Sequence, residues 1–230
     1  MIAPMISDPF TRDMIAAALR SVADETCREH ASAISQEHQI TSRLGEALER
    51  KLRGLRVNGY RVEVVTQDIP DHGPGSLEKK IGTDLFVGLE VRSEKTRRSK
   101  GLLVQAKRHQ SLSSRDRDAL TRQCKEMQAR SDSSYVWTYS EQGVRVLRAS
   151  SVASKEMQKM RGGDRLDELF SEVLACNQGD ERLGLPDVTG ETDADTVSVD
   201  YRRVLRQAVG TMLEKLGTKA AIGVSIVDVR

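Results

Sequence analysis

Two apolar runs constrain this chain more than anything else in it. The first is Gly82-Thr83-Asp84-Leu85-Phe86-Val87-Gly88-Leu89, and the second, after a charged stretch, is Gly101-Leu102-Leu103-Val104-Gln105-Ala106-Lys107-Arg108. Each reads as a strand carrying polar groups where an interior sheet does not normally tolerate them. Alternation in the second run puts Leu103, Gln105 and Lys107 on one face, and Leu102, Val104 and Ala106 on the other. If the two strands pair as a hairpin across Arg92 to Lys100, Asp84 lies beside the end of the second. A carboxylate, an amide and an ammonium then meet in one place.

The rest of the chain reads as alternating helices and strands. Amphipathic helices are predicted over Asp8 to Arg28, with Ile15, Ala18, Leu19 and Val22 on one stripe, and over Ser35 to Leu55, with Ile40, Leu44, Leu48, Leu52 and Leu55 in step. Glu37 falls on the apolar stripe of the second, and the plainer reading makes it a first-turn carboxylate favoured by the helix dipole. Tyr60 to Gln67 reads as a strand, and Asp68 to Ser76 as a Pro- and Gly-containing loop. Glu78, close behind that loop, is a weaker acidic candidate. Further helices are expected over Ser113 to Arg130, Leu166 to Cys176 and Tyr201 to Leu216, and strands at Tyr135 to Tyr139, Gly143 to Leu147 and Ile222 to Val229. The acidic, Gly-containing stretch 177–200 reads as a mobile surface segment.

Composition narrows the functional classes. With three Phe, four Tyr and one Trp in 230 residues, an aromatic base-stacking surface is not expected. The 36 basic and 34 acidic side chains nearly cancel, so an electrostatic footprint for a polyanion must come from clustering. Arg92, Lys95, Arg97, Arg98, Lys100, Lys107 and Arg108 against Glu94 form such a cluster, although charge runs are often only solvated turns. Cys27, Cys124 and Cys176 include no Cys-x-x-Cys pair, and His30, His38, His72 and His109 have no metal-ligand spacing. No apolar run approaches the ~18 residues of a membrane span, and no signal-peptide apolar region opens the chain. A cytoplasmic protein is expected.

The order helix, strand, Asp-bearing strand, Gln-x-Lys strand, helix, strand resembles the PD-(D/E)XK nuclease superfamily, in a variant carrying glutamine at the second acidic position. The resemblance rests on Gly82-Thr83-Asp84, Gln105-Ala106-Lys107 and a helical acid placed at Glu37, and covers about Ser35 to Leu147. It implies an α/β restriction-endonuclease-like core, a central mixed sheet flanked by helices with helical additions at both ends. The expected divisions are an N-terminal helical segment 1–34, a nuclease domain 35–176 and a C-terminal extension 177–230.

It also implies a metal-dependent DNA endonuclease, in a bacterial restriction or phage-defence setting. Asp84, Gln105 and Glu37 would serve as ligands to Mg²⁺, for which Mn²⁺ substitutes, and Lys107 would orient or deprotonate the attacking water. Lys95, Arg97, Arg98, Lys100 and Arg108 would contact phosphates. DNA, a second copy of the chain in a homodimer or higher oligomer, and a companion sensor or defence protein are the expected partners, with no membrane. Gln105 lacks the charge of Asp or Glu, which keeps open a catalytically silent nucleic-acid-binding or assembly module. A core ion pair between Asp84 and Lys107 is the purely structural reading, and an enzyme gated by oligomerisation or a small molecule is a third.

Overall fold

The computed structural model describes residues 3–33, 36–68, 83–108, 114–154, 163–188 and 201–230. Helix α1 (Pro9–His30) opens with proline, whose missing N–H costs nothing in a first turn. It is capped by Asp8, which accepts the Thr11 N–H at 2.9 Å. Helix α2 (Glu37–Lys51) buries Ile40, Leu44 and Leu48, as the spacing predicts. Then come β1 (Leu55–Val57), β2 (Tyr60–Asp68), β3 (Leu85–Arg92), β4 (Arg97–Arg108), α3 (Ser114–Gln128), β5 (Ser134–Ser140), β6 (Gly143–Arg148), α4 (Ala149–Ala153), β7 (Asp164–Arg165), α5 (Leu166–Leu174), α6 (Tyr201–Leu216) and β8 (Ala220–Asp228).

The strands form a single mixed sheet in the order β1-β2-β8-β3-β4-β5-β6-β7, with β3–β8 and β4–β5 parallel and the other pairs antiparallel. The alternation in β4 has its expected consequence. Leu102, Val104 and Ala106 enter a core shared with α1, α2 and α5, and Leu103 enters a second core with α3, α4 and α6. The result is an α/β fold of three layers, a mixed sheet with helices on both faces.

The proposed divisions at 34 and 176 do not separate this structure. α1 contributes Ile15, Leu19 and Cys27 to the first core. β8 lies between β2 and β3, so the C-terminal segment supplies an interior strand of the sheet and is not an extension. Its sequence shows why an interior place suits it: eight of its nine residues are buried, the signature of a strand covered on both faces.

Residues 177–188 also differ from the mobile segment expected of them. β5 begins opposite Leu103, which leaves the Arg97–Gly101 edge of β4 open, and the chain leaving α5 docks there. Gly101 and Asp180 exchange N–H···O bonds of 2.9 and 3.0 Å. Gly88 and Gly101 face each other across β3 and β4 and form a trough that the same segment fills. A Cβ on Gly101 would stand 2.2 Å from the Leu183 carbonyl oxygen, and one on Gly88 would stand 2.7 Å from Leu185. Paired mid-strand glycines marked the close approach of another chain segment. Residues 189–200 lie outside the described residues.

Candidate active site

The β3–β4 hairpin brings its chemistry to one end. Leu85 pairs with Val104, so Asp84, one residue before β3, stands beside Gln105 on the face opposite the Leu85–Val104 pair. Gln105 Nε2 donates to Asp84 Oδ2. Gln105 is fully buried, and its Oε1 has no hydrogen-bond partner among the described residues. An orphaned buried acceptor is costly, by about 1–3 kcal/mol, and native structures keep such atoms where something else completes them.

Lys107 follows on the same face, partly buried. It makes no hydrogen bond or ion pair with another described residue. Its ammonium lies within electrostatic reach of Cys124 on α3, whose thiol is pushed up to about 12 by burial, with the Lys107 charge opposing that rise. A structural Asp84–Lys107 ion pair is thus not among the contacts of this lysine.

Glu37 is the first residue of α2, as its dipole-favoured reading required, and it belongs to the same end of the sheet. Thr41, one turn on, bonds the buried Tyr139 hydroxyl at 3.0 Å. Burial raises the Tyr139 phenol well above its ordinary range, the Thr41 hydrogen bond opposes this, and the charges of Cys27, Asp84 and Glu37 add to the rise. Asp84 and Glu37 are therefore both within electrostatic reach of one buried hydroxyl.

No local pattern signals the other groups here. A cleft beside Asp84 is lined by His38, Thr41, Ser42, Asp68, Lys219 and Ala220. Asp68 ends β2 and Lys219 precedes β8, and the sheet order brings both to Asp84: Asp68 pairs with Ala220, whose N–H donates to the Asp84 carbonyl at 3.1 Å. Glu78 lies outside the described residues.

Most of the basic cluster stands away from Asp84. The hairpin turn is only Ser93 to Thr96, closed by the Ser93 N–H to the Thr96 carbonyl at 2.8 Å, and Arg97, Arg98 and Lys100 belong to β4. The eight residues of β3, at about 3.3 Å each, put that turn roughly 25 Å from Asp84. Arg97 bonds Glu90 at 2.8 Å, and Arg98 bonds Glu181 at 3.0 Å and the Ala3 carbonyl. Lys100 is buried and donates to the Cys176 and Gln178 carbonyls at 3.3 and 2.9 Å. Lys95 lies in the turn itself. Arg108 alone stands at the Asp84 end, donating to the Ala31 carbonyl at 2.9 Å. The residues expected on phosphates mostly hold the fold together.

Comparison with protein-family models, curated proteins and solved structures finds no match. Among the described residues no helix is long and apolar enough to cross a membrane, and no three His, Cys, Asp or Glu side chains converge to hold a metal ion. The oxygens at hand for a hard cation are the Asp84 carboxylate and, after a turn of its amide, Gln105 Oε1. That donor set suits Mg²⁺, which takes one or two carboxylates and leaves its other positions to phosphate and water.

This arrangement makes Gln105→Glu informative. A second carboxylate in a fully buried position beside Asp84 raises the pKa of the coupled pair. Below the unfolded value, about 4.3, the added group is neutral in both states and stability matches the parent protein. As pH rises from there toward the raised folded value, stability is lost, reaching about 2–4 kcal/mol. Metal-free Gln105→Glu should therefore melt below the parent at pH 8 and converge with it near pH 4, and Mn²⁺ should raise its melting temperature more than the parent's. A pH-independent deficit without a metal response would leave Gln105 no part in binding a metal ion.

Proposed function

We propose that the chain hydrolyses phosphodiester bonds of DNA in a metal-dependent reaction at Asp84, Gln105 and Lys107. The observation that carries this reading is the buried, unpartnered Gln105 Oε1 beside the Asp84 carboxylate, with the uncommitted ammonium of Lys107 two residues further on the same face. Bound Mg²⁺ would neutralise the scissile phosphate and make hydroxide available near neutral pH.

The chain's own residues would do the rest. Asp84 supplies the single full negative charge of the donor set, and Gln105 adds a neutral oxygen. Glu37, at the start of α2, contributes a second carboxylate through water. Lys107 positions the attacking water and offsets the charge that develops on the phosphorane oxygens. A homodimer would supply the two sites that cutting both strands of a duplex requires, and a restriction or phage-defence role with a companion protein follows from the resemblance alone.

A second reading rests on the shortage of carboxylates, since no third acidic or histidine ligand converges on Asp84 among the described residues. A silent nucleic-acid-binding module would keep the fold without the reaction. Supercoiled plasmid incubated with Mg²⁺, Mn²⁺ or chelator separates the two. The expected result is nicking or linearisation that needs the metal and disappears in Asp84→Ala. Cleavage that survives chelator or the substitution would sink the nuclease reading, and tight metal-independent binding without cleavage would establish the silent module.

A further inference from the structure

A second cavity, lined by described residues, lies elsewhere than the Asp84 cleft. It measures about 810 Å³ and sits between α2, the end of β2 and α6, with Arg53, Arg202, Arg203 and Arg206 set against Glu49 and Glu214. β1 pairs with β2 only as far as Val62, so no described strand pairs with the outer edge of β2 beyond it. Glu49 closes part of that edge by accepting the Thr66 N–H at 2.9 Å and the Thr66 hydroxyl at 3.2 Å.

The same carboxylate holds two guanidiniums. Arg206 Nη2 donates to Glu49 Oε1 at 3.0 Å, and Arg202 Nη2 donates to the same oxygen. One carboxylate shared between two arginines leaves net positive charge and fixes their forks in space. Arg202 Nε is buried without an acceptor among the described residues. Arg53, exposed on the α2 side, makes no ion pair with a described residue. Pre-positioned, incompletely paired guanidiniums are suited to phosphate oxygens, which they bind bidentately.

The cavity adjoins the candidate active site. Gln67 lines it and donates Nε2 to the Arg206 carbonyl at 2.9 Å, and the next residue, Asp68, lines the cleft beside Asp84. One strand separates β2 from β3, so the Asp68 and Asp84 backbones are about 10 Å apart, two strand spacings. We propose that this arginine-lined cavity seats the phosphodiester backbone of the nucleic acid beside the bond to be cut. The proposal rests on the nucleic-acid reading above, and it does not need the reaction to occur.

The test measures binding in chelator, where cleavage plays no part. Fluorescence anisotropy with a labelled DNA duplex and the matching RNA duplex, over a range of salt, compares the unmodified chain with Arg53→Glu/Arg203→Glu. Both residues are exposed and outside the Glu49 contacts, and a thermal melt confirms that the variant folds. Affinity is expected to fall at least ten-fold near 0.1 M salt, and the slope of log affinity on log salt to shrink by about two, close to one unit for each phosphate contact removed. The duplex that suffers the loss identifies the polymer.

Unchanged affinity and slope in the variant would overturn the proposal even if the protein cleaves plasmid. So would a wild-type chain that binds neither duplex but is stabilised, unlike the variant, by a nucleoside triphosphate; a small ligand would then own the cavity. Binding that depends on the arginines in a protein that never cleaves would uphold the proposal and leave the nuclease reading alone to fail.

Discussion

Lys107→Met is expected to reduce metal-dependent cleavage about 10³-fold while leaving the chain as stable as the unmodified protein, or more stable. The two halves of this expectation have one cause. Lys107 is partly buried near the end of β4 and has no hydrogen bond or ion pair with a described residue, while its neighbour Cys124 is held neutral by burial. A partly buried ammonium with no partner among the described residues adds little to folding, and methionine, similar in length and apolar, keeps the packing of its stem without the charge. A lysine doing structural service would behave in the opposite way, because removing it would strand a carboxylate.

The rate loss follows from the proposed role, since a positioned proton-transfer group or cation contributes about 10²–10⁴-fold. Single-turnover nicking of supercoiled plasmid in Mg²⁺ and a thermal melt of the same samples check both halves. A variant that loses 2 kcal/mol or more of stability and still cleaves would return Lys107 to the fold. This separation of activity from stability is the usual signature of a residue kept for function.

What the sequence disclosed and what it concealed divide by range of interaction. The hairpin faces, the strand at Ser134–Ser140 and the helix at Tyr201–Leu216 were legible because a period of 2 or 3.6 is written locally. The pairing of Asp84 with Gln105 was legible for the same reason, as an antiparallel hairpin fixes its own register. The place of β8 was not. A strand inserted between β2 and β3 is recruited from the far end of the chain, and no local period records which neighbours it joins. Asp68 and Lys219 join Asp84 only through that insertion, so they carried no signal of their own. The arginines of α6 looked like the solvated side of an amphipathic helix, because Glu49 and Thr66, which organise them, lie on other elements.

The charged stretch before Gly101 misled for a related reason, and Arg97→Ala exposes it most sharply. This substitution is expected to cost about 3 kcal/mol of stability and to leave nucleic-acid affinity unchanged. Arg97 serves three acceptors: Glu90 Oε2 at 2.8 Å, and the Leu185 and Pro186 carbonyls at 2.6 and 3.0 Å. Glu90 is 5% exposed, and its other oxygen accepts the Ser225 hydroxyl at 2.7 Å. Without the guanidinium, a carboxylate in the middle of the sheet keeps the Ser225 hydroxyl but, as a charged partner, only the more distant Arg92, at 3.7 Å, and breaking such a pair from one side costs about 3–5 kcal/mol. Arg97→Lys should rescue little, since one ammonium cannot reproduce a planar fork reaching a side chain and two backbone carbonyls. Arg97→Met combined with Glu90→Leu should recover much of the loss, because removing both charges leaves neither one stranded. Chemical denaturation of the single and double variants measures the coupling directly. Duplex binding by Arg97→Ala that fell in step with the arginine-cavity variant, at undiminished stability, would instead put Arg97 on the nucleic acid. The acceptors that neutralise this arginine are Glu90, seven residues back, and carbonyls 88 and 89 residues ahead; a charge run read without them looks like a surface, and in the folded chain it is the clasp that holds residues 180–186 against the sheet.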